Sequence, residues 1–451
     1  MDRVHAVVLA AGKGKRMNSD LPKVLHPLCG RPLIAHVLDM LEGLGVFDPI
    51  VVVASGADGV RAAVGGRGRC VEQAQQLGTG HAVMQALPLL AGADGTILVL
   101  YGDTPLLRSQ TVGDLVEHRQ ASGAAVAMLS TELENPAGYG RVLRDAAGGV
   151  RGIVEETDLS GDESQVREIN AGTYAFDPDA LRAALAALMP NNAQGEYYLT
   201  ATIGWLMAAG RAVAALRAPA EQTMGINSRS DLAAAETVVR RRILERLMEE
   251  GVTVIDPAST YVHSGIVIGR DTTIHPQTFI EGATSVGRGC VLGPLTRLAD
   301  ATLDDDVSVV ASTVTASIVG AGTRIGPYSH LRPGTRVGRY VQIGNYAEMK
   351  NSVIGDYTRV HHMSYLGDAS VGTRVNIGAG TVTVNYDGKT KHPTTIEDGA
   401  FIGSDTMLIA PVRVGRGAMT GAGSVVNHDV PDGAVVVGVP ARVIRHVTAD
   451  R

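Results

Sequence analysis

Apolar and polar positions alternate in two distinct ways along the 451-residue chain. Over residues 1 to about 228, short apolar runs rich in β-branched residues, at 4–9, 50–54 and 96–100, are separated by helical stretches such as 33–44 and 81–90. Strand-helix alternation predicts a mostly parallel sheet covered on both faces. Over 229–250 the apolar positions are Leu232, Val239, Ile243 and Leu247, with Leu244 and Met248 beside them and Arg and Glu opposite. That is one apolar face of a helix, ending at Gly251 as its C-cap. It reads as a linker helix between domains or as the last helix of the first domain.

From residue 262 a period of six takes over. Ile268, Ile274, Ile280, Val286, Leu292 and Leu298 form one run; Val319, Ile325, Leu331, Val337, Ile343 and Met349 form a second. Ile354, Val360 and Leu366 follow, then Val371 and Ile377. The last run is Ile396, Ile402, Leu408, Val414, Thr420 and Val426. Six suits neither a 3.6-residue helix nor a sandwich strand. It suits one flat face of a three-sided coil with about 18 residues per turn, the aliphatic pointing inward at each face. The next residue is often Gly (Gly269, Gly287, Gly326, Gly338, Gly344, Gly403, Gly415), which predicts corners where positive φ is cheap.

Composition agrees. Gly is 55 of 451 residues, about 12% against a usual ~7%, while Phe is 4 and Trp 1. Stacked coils pair their backbones and need no large aromatic inside. Net charge is −6 with no basic stripe, so nucleic acid is not an expected partner. Cys29, Cys70 and Cys290 lie far apart, which suits a reducing cytosol and offers no zinc spacing. The first residues are too short and wrongly flanked for a signal peptide, and no apolar run would span a membrane. A cytoplasmic location is expected.

Candidate chemistry starts after the first strand, at Leu9-Ala10-Ala11-Gly12-Lys13-Gly14-Lys15-Arg16-Met17. Small residues let backbone approach a nucleotide, and such loops cradle phosphate. Arg16 and Lys23 add positive charge. The loop is neither a Walker A loop nor the dinucleotide fingerprint. Tyr101-Gly102-Asp103 puts a carboxylate past a strand's C-terminal end, where open α/β sheets bind ligands, and Asp103 is a good first Mg²⁺ ligand.

The G-x-G-x-R-M loop followed by Leu21-Pro22-Lys23 resembles the signature of sugar-nucleotide pyrophosphorylases. Gln73, Gln76 to His81, Tyr139 to Arg141, Ile153 to Glu155, Glu168 to Asn170, Glu196 to Thr200 and Gly225 to Asn227 extend the series. In this order, joined to hexapeptide repeats, they resemble the bifunctional N-acetylglucosamine-1-phosphate uridylyltransferase/glucosamine-1-phosphate acetyltransferase family over nearly the whole chain. The resemblance implies an α/β Rossmann-like nucleotidyltransferase domain (1–228), a helical linker (229–250) and an all-β left-handed parallel β-helix acetyltransferase domain (251–451). It implies a homotrimer, with acetyl-CoA in grooves between helices. It implies Mg²⁺, with UTP, glucosamine-1-phosphate and N-acetylglucosamine-1-phosphate as substrates.

Residue roles follow from the same resemblance. Leu9, Ala10, Ala11, Gly12, Gln73, Gly78 and Thr79 would hold the uridine nucleotide, with Tyr101 and Gly102 beside it. Gly140, Glu155 and Asn170 would bind the N-acetylglucosamine moiety. Asp103 and Asn227 would hold Mg²⁺, and Arg16 and Lys23 would neutralise phosphate charge. Lys15 stands where the family has Thr, and Ala201 where an Asp is common.

In the second part, acetyl transfer to an amine needs a proton acceptor, for which His is suited. Adjacent His361 and His362 should face opposite ways along a strand. The resemblance selects His362 as base, in the His-x-x-Tyr spacing with Tyr365, and Glu348 could orient it. Arg332 and Lys350 would bind the sugar phosphate. Tyr365, Asn376, Asn385, Tyr386 and Lys391 would shape the sugar and acetyl pocket. Ala379, Ser404 and Ala422 would line the acetyl-CoA groove. The family's C-terminal coenzyme-contacting Arg is not carried over to Arg442. Two other readings are an inert coil on a single-activity nucleotidyltransferase and a zinc β-helix, for which His361, His362 and His392 lack the spacing.

Overall fold

The computed structural model describes residues 3–12, 14–192 and 194–446. The chain divides into two compact units, residues 1–239 and 240–451, so the division runs through the helix Arg229–Glu249. In that helix Ala235, Val239, Ile243, Leu244 and Leu247 are buried. Leu232 is half-buried and Met248 is exposed, so the apolar face is narrower than the pattern suggested. Gly251, at φ +94, closes the helix with its N–H on the Met248 carbonyl.

The first unit is built on β1 (Val4–Ala10), β2 (Ile50–Ala54), β3 (Arg69–Gln73), β4 (Thr96–Tyr101), β5 (Val126–Glu132), β6 (Glu168–Phe176) and β7 (Val213–Arg217). Their order is β7-β5-β6-β4-β1-β2-β3. Neighbours are parallel, except that β6 runs antiparallel to β4 and β5. Successive residues face opposite ways. Val8, Val51, Val53 and Leu98 pack on Val37, Leu41 and Leu115 from one helical layer. Val7, Ile50, Val52 and Val99 pack on Val83, Leu181 and Ile203 from the other. Burial on both faces is why these strands read as continuous apolar runs. The helix expected over 81–90 is instead Thr79–Ala86 followed by a 3-10 turn, because Pro88 has no N–H to continue the ladder. β1 lies between β2 and β4, where strand order reverses, so the loops after these strands open at a topological switch point.

The second unit is a parallel β-helix whose three faces, over the described residues, carry twelve, ten and nine strands. Every repeat aliphatic named above is buried. Thr420 is inside too, its hydroxyl satisfied by Thr406 and the Gly403 N–H, each at 2.9 Å. Leu303, Val309 and Val314, at spacings of five and six, continue the core across the stretch that shows no strict period. The coil length therefore varies: Val291 pairs with Thr273 across a full turn, but Thr313 pairs with Arg297 across a shorter one. Phe401 pairs with Asn376 across a longer one, because the 385–392 loop leaves the coil between them.

The repeat glycines do not do what their position suggested. Of the seven, only Gly326 has positive φ. The others are required by the next coil: a Cβ on Gly269 would lie 2.6 Å from the Gly287 carbonyl carbon. Left-handed corners are carried largely by other residues, among them Asp271, Gln277, Asp300 and Tyr340. The aromatics stack outside, Tyr261 on Phe279 at 4.9 Å and Tyr340 on Tyr357 at 5.3 Å between ring centroids.

Candidate active sites

The loop after β1 is shaped by its neighbours. Gly14, at φ +60, lies so close to Lys23 that a Cβ would sit 2.7 Å from that residue's Cβ. Gln76 donates Nε2 to the Ala11 carbonyl at 2.5 Å. The result is a cleft of about 730 Å³. Leu9, Ala10, Ala11 and Gly12 line it from the loop, Gln73, Gly78 and Thr79 from the β3 side, and Tyr101, Asp103, Lys23 and Asn227 where it deepens. Gln73 is buried; its Nε2 donates to the Gly78 carbonyl at 3.0 Å and meets His81 Nδ1 at 3.1 Å. Thr79 Oγ1 accepts the Leu199 N–H at 3.0 Å.

A second cleft, of about 490 Å³, adjoins the first and shares Thr79, Tyr101, Asp103 and Asn227 with it. Gly140, Glu155 and Asn170 line this second cleft. Thr200 donates to Glu155 Oε1 at 2.6 Å. Asn170 is held by Tyr174 Oη at 2.6 Å and the Gly172 N–H at 3.2 Å, at a bulge in β6. Burial, with the Glu155 and Asp103 carboxylates beside it, pushes the Tyr101 phenol up, so it stays a neutral hydroxyl bonded to Thr79.

Where the clefts join, the Lys23 ammonium forms an ion pair with Asp103 Oδ2 and donates to Asn227 Oδ1 at 3.1 Å. The Ile226 N–H bonds the Asp103 carbonyl at 2.9 Å, tying the two acceptors together. Two hard oxygens thus face one point that already accepts a cationic group. This fits a divalent ion on a nucleotide, which takes one or two protein oxygens. Among the described residues no group of three or more His, Cys, Asp or Glu could hold a metal ion.

Two expected residues stand elsewhere. Gly102 is a packing glycine: its N–H donates to the Leu9 carbonyl at 2.9 Å, and a Cβ would meet Ile34 at 3.1 Å and Val24 at 3.2 Å. Arg16 is exposed and lines neither cleft, whereas its neighbour Lys15 lines the first. Gln76 and Glu196 also line the first cleft; both stand inside quoted motifs, which was the available signal.

Glu168, from the same motif series as Asn170, is structural. Burial raises its carboxyl, but hydrogen bonds from Arg144, Ser130 and Arg217 outweigh that and hold it at about 2. Against an ordinary 4.5, this corresponds to folded-state stability on the order of 3 kcal/mol. The depressed carboxyl stabilises above about pH 4.5, and the contribution drains away as pH falls towards 2. Glu168→Gln should therefore lower the denaturation midpoint of the first unit at neutral pH, with the gap from wild type closing in acid. An equal gap at both pH values would refute the charge argument.

On the β-helix, register places Glu348 beside Tyr365 and Lys350 beside Gly367 on the ten-stranded face. Arg332 Nη1 pairs with Glu348 Oε1 at 2.7 Å. Lys391 beside Lys350, with Arg332 nearby, pushes the Lys350 ammonium down. Three crowded cations call for an anion. Asn385 Nδ2 donates to Asp368 Oδ2 at 2.6 Å. The 385–392 loop is knotted around Asp387, which accepts from the Lys389 and Thr390 N–H groups and pairs with His392 Nε2 at 2.7 Å. These bonds hold its carboxyl well below the usual range and leave Tyr386 exposed.

His362 ends a strand on the twelve-stranded face, and Asn376 begins the next strand there, beside Arg359. The Arg332 cluster is on the ten-stranded face, past the corner at Met363 (φ 39). That corner opens on a concavity of about 530 Å³, lined by Glu348 and Tyr365 among others. His361 and His362 do not face opposite ways: both rings stay outside, 5.9 Å apart edge to face, because the strand is already turning. Glu348 does not orient His362 within the chain, since Arg332 holds it. The His362 Nδ1 partner is Asn345 Oδ1 at 3.0 Å, one coil back. An amide oxygen there makes Nδ1 the protonated nitrogen and leaves Nε2 as acceptor. Sequence offered no signal for Asn345, because it stands a whole coil away from the His-x-x-Tyr string. Ala379, Ser404 and Ala422 stack one per coil: the Asp405 N–H bonds the Ala379 carbonyl at 2.6 Å, and the Gly423 N–H bonds that of Ser404 at 2.8 Å. Arg442 lies on an exposed strand and bonds the Ala441 carbonyl at 2.9 Å.

Known proteins share both halves. Residues 6–166 match the MobA-like NTP transferase domain family. Residues 316–351 and 393–428 match the bacterial transferase hexapeptide family, consistent with a left-handed coil. Over 438 residues the chain is 51% identical to a "Bifunctional protein GlmU" of Heliobacterium modesticaldum, covering 97% of this chain and 96% of the relative. It is 46% identical to one from Geobacillus over 452 residues, 100% and 98% of the two chains. One from Brevibacillus brevis is 47% identical over 97% and 95%. With matches of this level running end to end through both clefts and every coil, the chain belongs to the family of bifunctional GlmU proteins.

Proposed function

We propose that the chain makes UDP-N-acetylglucosamine in two steps. Residues 251–451 acetylate glucosamine-1-phosphate with acetyl-CoA, and residues 1–228 then transfer a uridylyl group from UTP to N-acetylglucosamine-1-phosphate. The observation that carries this is the pair of clefts that meet at Asp103 and Asn227.

The first cleft takes the nucleotide. Gln73 uses Nε2 internally, which leaves its Oε1 to accept the uracil imide N–H. The second cleft takes the sugar, with Glu155 and Asn170 bonding hydroxyls and the amide. A phosphate oxygen of the sugar phosphate attacks the α-phosphorus of UTP, the bond to the β-phosphate oxygen breaks, and pyrophosphate leaves. The nucleophile is already an anion, so no base is required. Asp103 and Asn227 would hold Mg²⁺, which when bound supplies charge neutralisation on the phosphates. Lys23 and Lys15, and Arg16 from the same turn, add positive charge, and the clefts supply alignment.

In the coil, Arg332, Lys350 and Lys391 bind the phosphate of glucosamine-1-phosphate. His362 Nε2 takes the proton as the amine attacks the thioester carbonyl; the C–S bond breaks and the coenzyme leaves as thiolate. His362 and Asn376 lie on one face and the cation cluster on the next, which supports a site completed by neighbouring copies in a homotrimer. Ala379, Ser404 and Ala422 would line the coenzyme groove. Light scattering should then give three times the 47.0 kDa chain mass; a monomer would remove the groove. A cytoplasmic location suits these substrates and the wide separation of Cys29, Cys70 and Cys290 along the chain. Product analysis with glucosamine-1-phosphate, acetyl-CoA, UTP and Mg²⁺, omitting one at a time, tests the whole scheme: the UDP-sugar should need all four.

A further inference from the structure

The start of the helix Arg229–Glu249 is bonded to several segments of the nucleotide end. Asp231 Oδ2 accepts two backbone N–H groups, that of Asn227 at 2.9 Å and that of Ser228 at 2.8 Å. Ser228 Oγ in turn accepts the Asp231 N–H at 3.2 Å, which makes a reciprocal cap. A cap needs only the Ser228 contact; the bond to Asn227 is additional. It fixes the backbone of the residue whose Oδ1 faces Asp103 across the Lys23 ammonium.

Arg229 works on the facing segment. Its Nε donates to the Met17 carbonyl at 3.3 Å, and its Nη1 donates to His26 Nδ1 at 3.2 Å. Met17 closes the turn that carries Lys15, and His26 closes the turn that carries Lys23. One turn of helix therefore grips the oxygen donor on one side and the cationic turns on the other.

We infer that Asp231 is a positioning residue for uridylyl transfer: it holds Asn227 in the orientation that lets Asn227 and Asp103 act on one cation, with Arg229 holding the phosphate-side turns in register with them. The inference rests on the reading of Asp103 and Asn227 as the Mg²⁺ site. Asp231 lines neither cleft and acts through the Asn227 backbone. Hydrogen-bond partners of metal ligands change metal affinity about 10–100-fold when removed.

The test uses the full chain and its second activity as a control of folding. Asp231→Ala should raise the Mg²⁺ concentration for half-maximal pyrophosphate release about tenfold. UTP binding by calorimetry should weaken in Mg²⁺ and stay unchanged in EDTA, and acetyl transfer should stay at the wild-type rate. Asp231→Asn keeps an oxygen acceptor for the Asn227 N–H and should recover most of the Mg²⁺ response, which a requirement for helix-dipole charge would not allow. Loss of UTP affinity equally with and without Mg²⁺, or no change in either, would overturn the inference and leave Asp231 as a plain cap. If wild-type UTP binding is itself indifferent to Mg²⁺, the metal-site reading fails first.

Discussion

His362→Ala is expected to lower acetyl transfer by about 10²–10⁴-fold and to leave uridylyl transfer at the wild-type rate. The range is what a positioned general base contributes. The geometry supports this role because the ring is anchored on one side only: Nδ1 is committed to Asn345 Oδ1 at 3.0 Å, and Nε2 is the acceptor. When the ring takes the amine proton it keeps the Asn345 bond, so nothing has to reorganise. Coenzyme thiol release and pyrophosphate release from one preparation give the two rates. A parallel fall in both, or in neither, would mean that His362 is not the base. His361→Ala serves as the neighbour control. Its ring rests on Gln342 at 3.0 Å, and burial together with the adjacent His362 pushes its pKa down, so its loss should cost acetyl transfer little.

Asp103→Asn should lower uridylyl transfer by about 10²–10³-fold, the loss seen when one preorganised electrostatic group is removed. The substitution keeps shape and removes charge at the point where both clefts and Lys23 meet. Acetyl transfer should not change. Mg²⁺ titration separates the causes: a variant rescued by high Mg²⁺ has lost affinity for the ion, and one that is not has lost alignment. Full activity at ordinary Mg²⁺ would remove Asp103 from the metal site. The neighbouring Gly102 makes a useful contrast. Gly102→Ala crowds Ile34 and Val24 rather than the cleft, so its effect should appear first in stability.

Much of the candidate site was legible because its residues sit in short strings. Gln73 ends one strand, with Gly78 and Thr79 after it, and Tyr101 ends another, with Asp103 after it, so local pattern and family resemblance brought them to one cleft. Gly102 and Arg16 show where that reasoning stops. Each stands in the right string, yet Gly102 packs against the core and Arg16, exposed on its turn, lines neither cleft. The choice depends on Ile34, Val24 and the turn at Gly14, which belong to other segments. The surroundings of Glu348 were hidden for a similar reason: within the chain it pairs with Arg332, on the preceding coil.

The chain's pattern of apolar positions was enough to set the two-part architecture, the strands of the first sheet and the six-residue core of the coil. Such patterns record which side chains leave water, and that depends mostly on near neighbours along the chain. The tertiary structure alone decided why the repeat glycines are glycine, that Asn345 holds His362, and that Asp231 and Arg229 brace the ends of the nucleotide cleft. Those are contacts between one coil and the next, or between the two ends of the first unit's sequence, as Arg229 and Met17 are. They are set by how sheets twist and coils register, and no short-range periodicity encodes that.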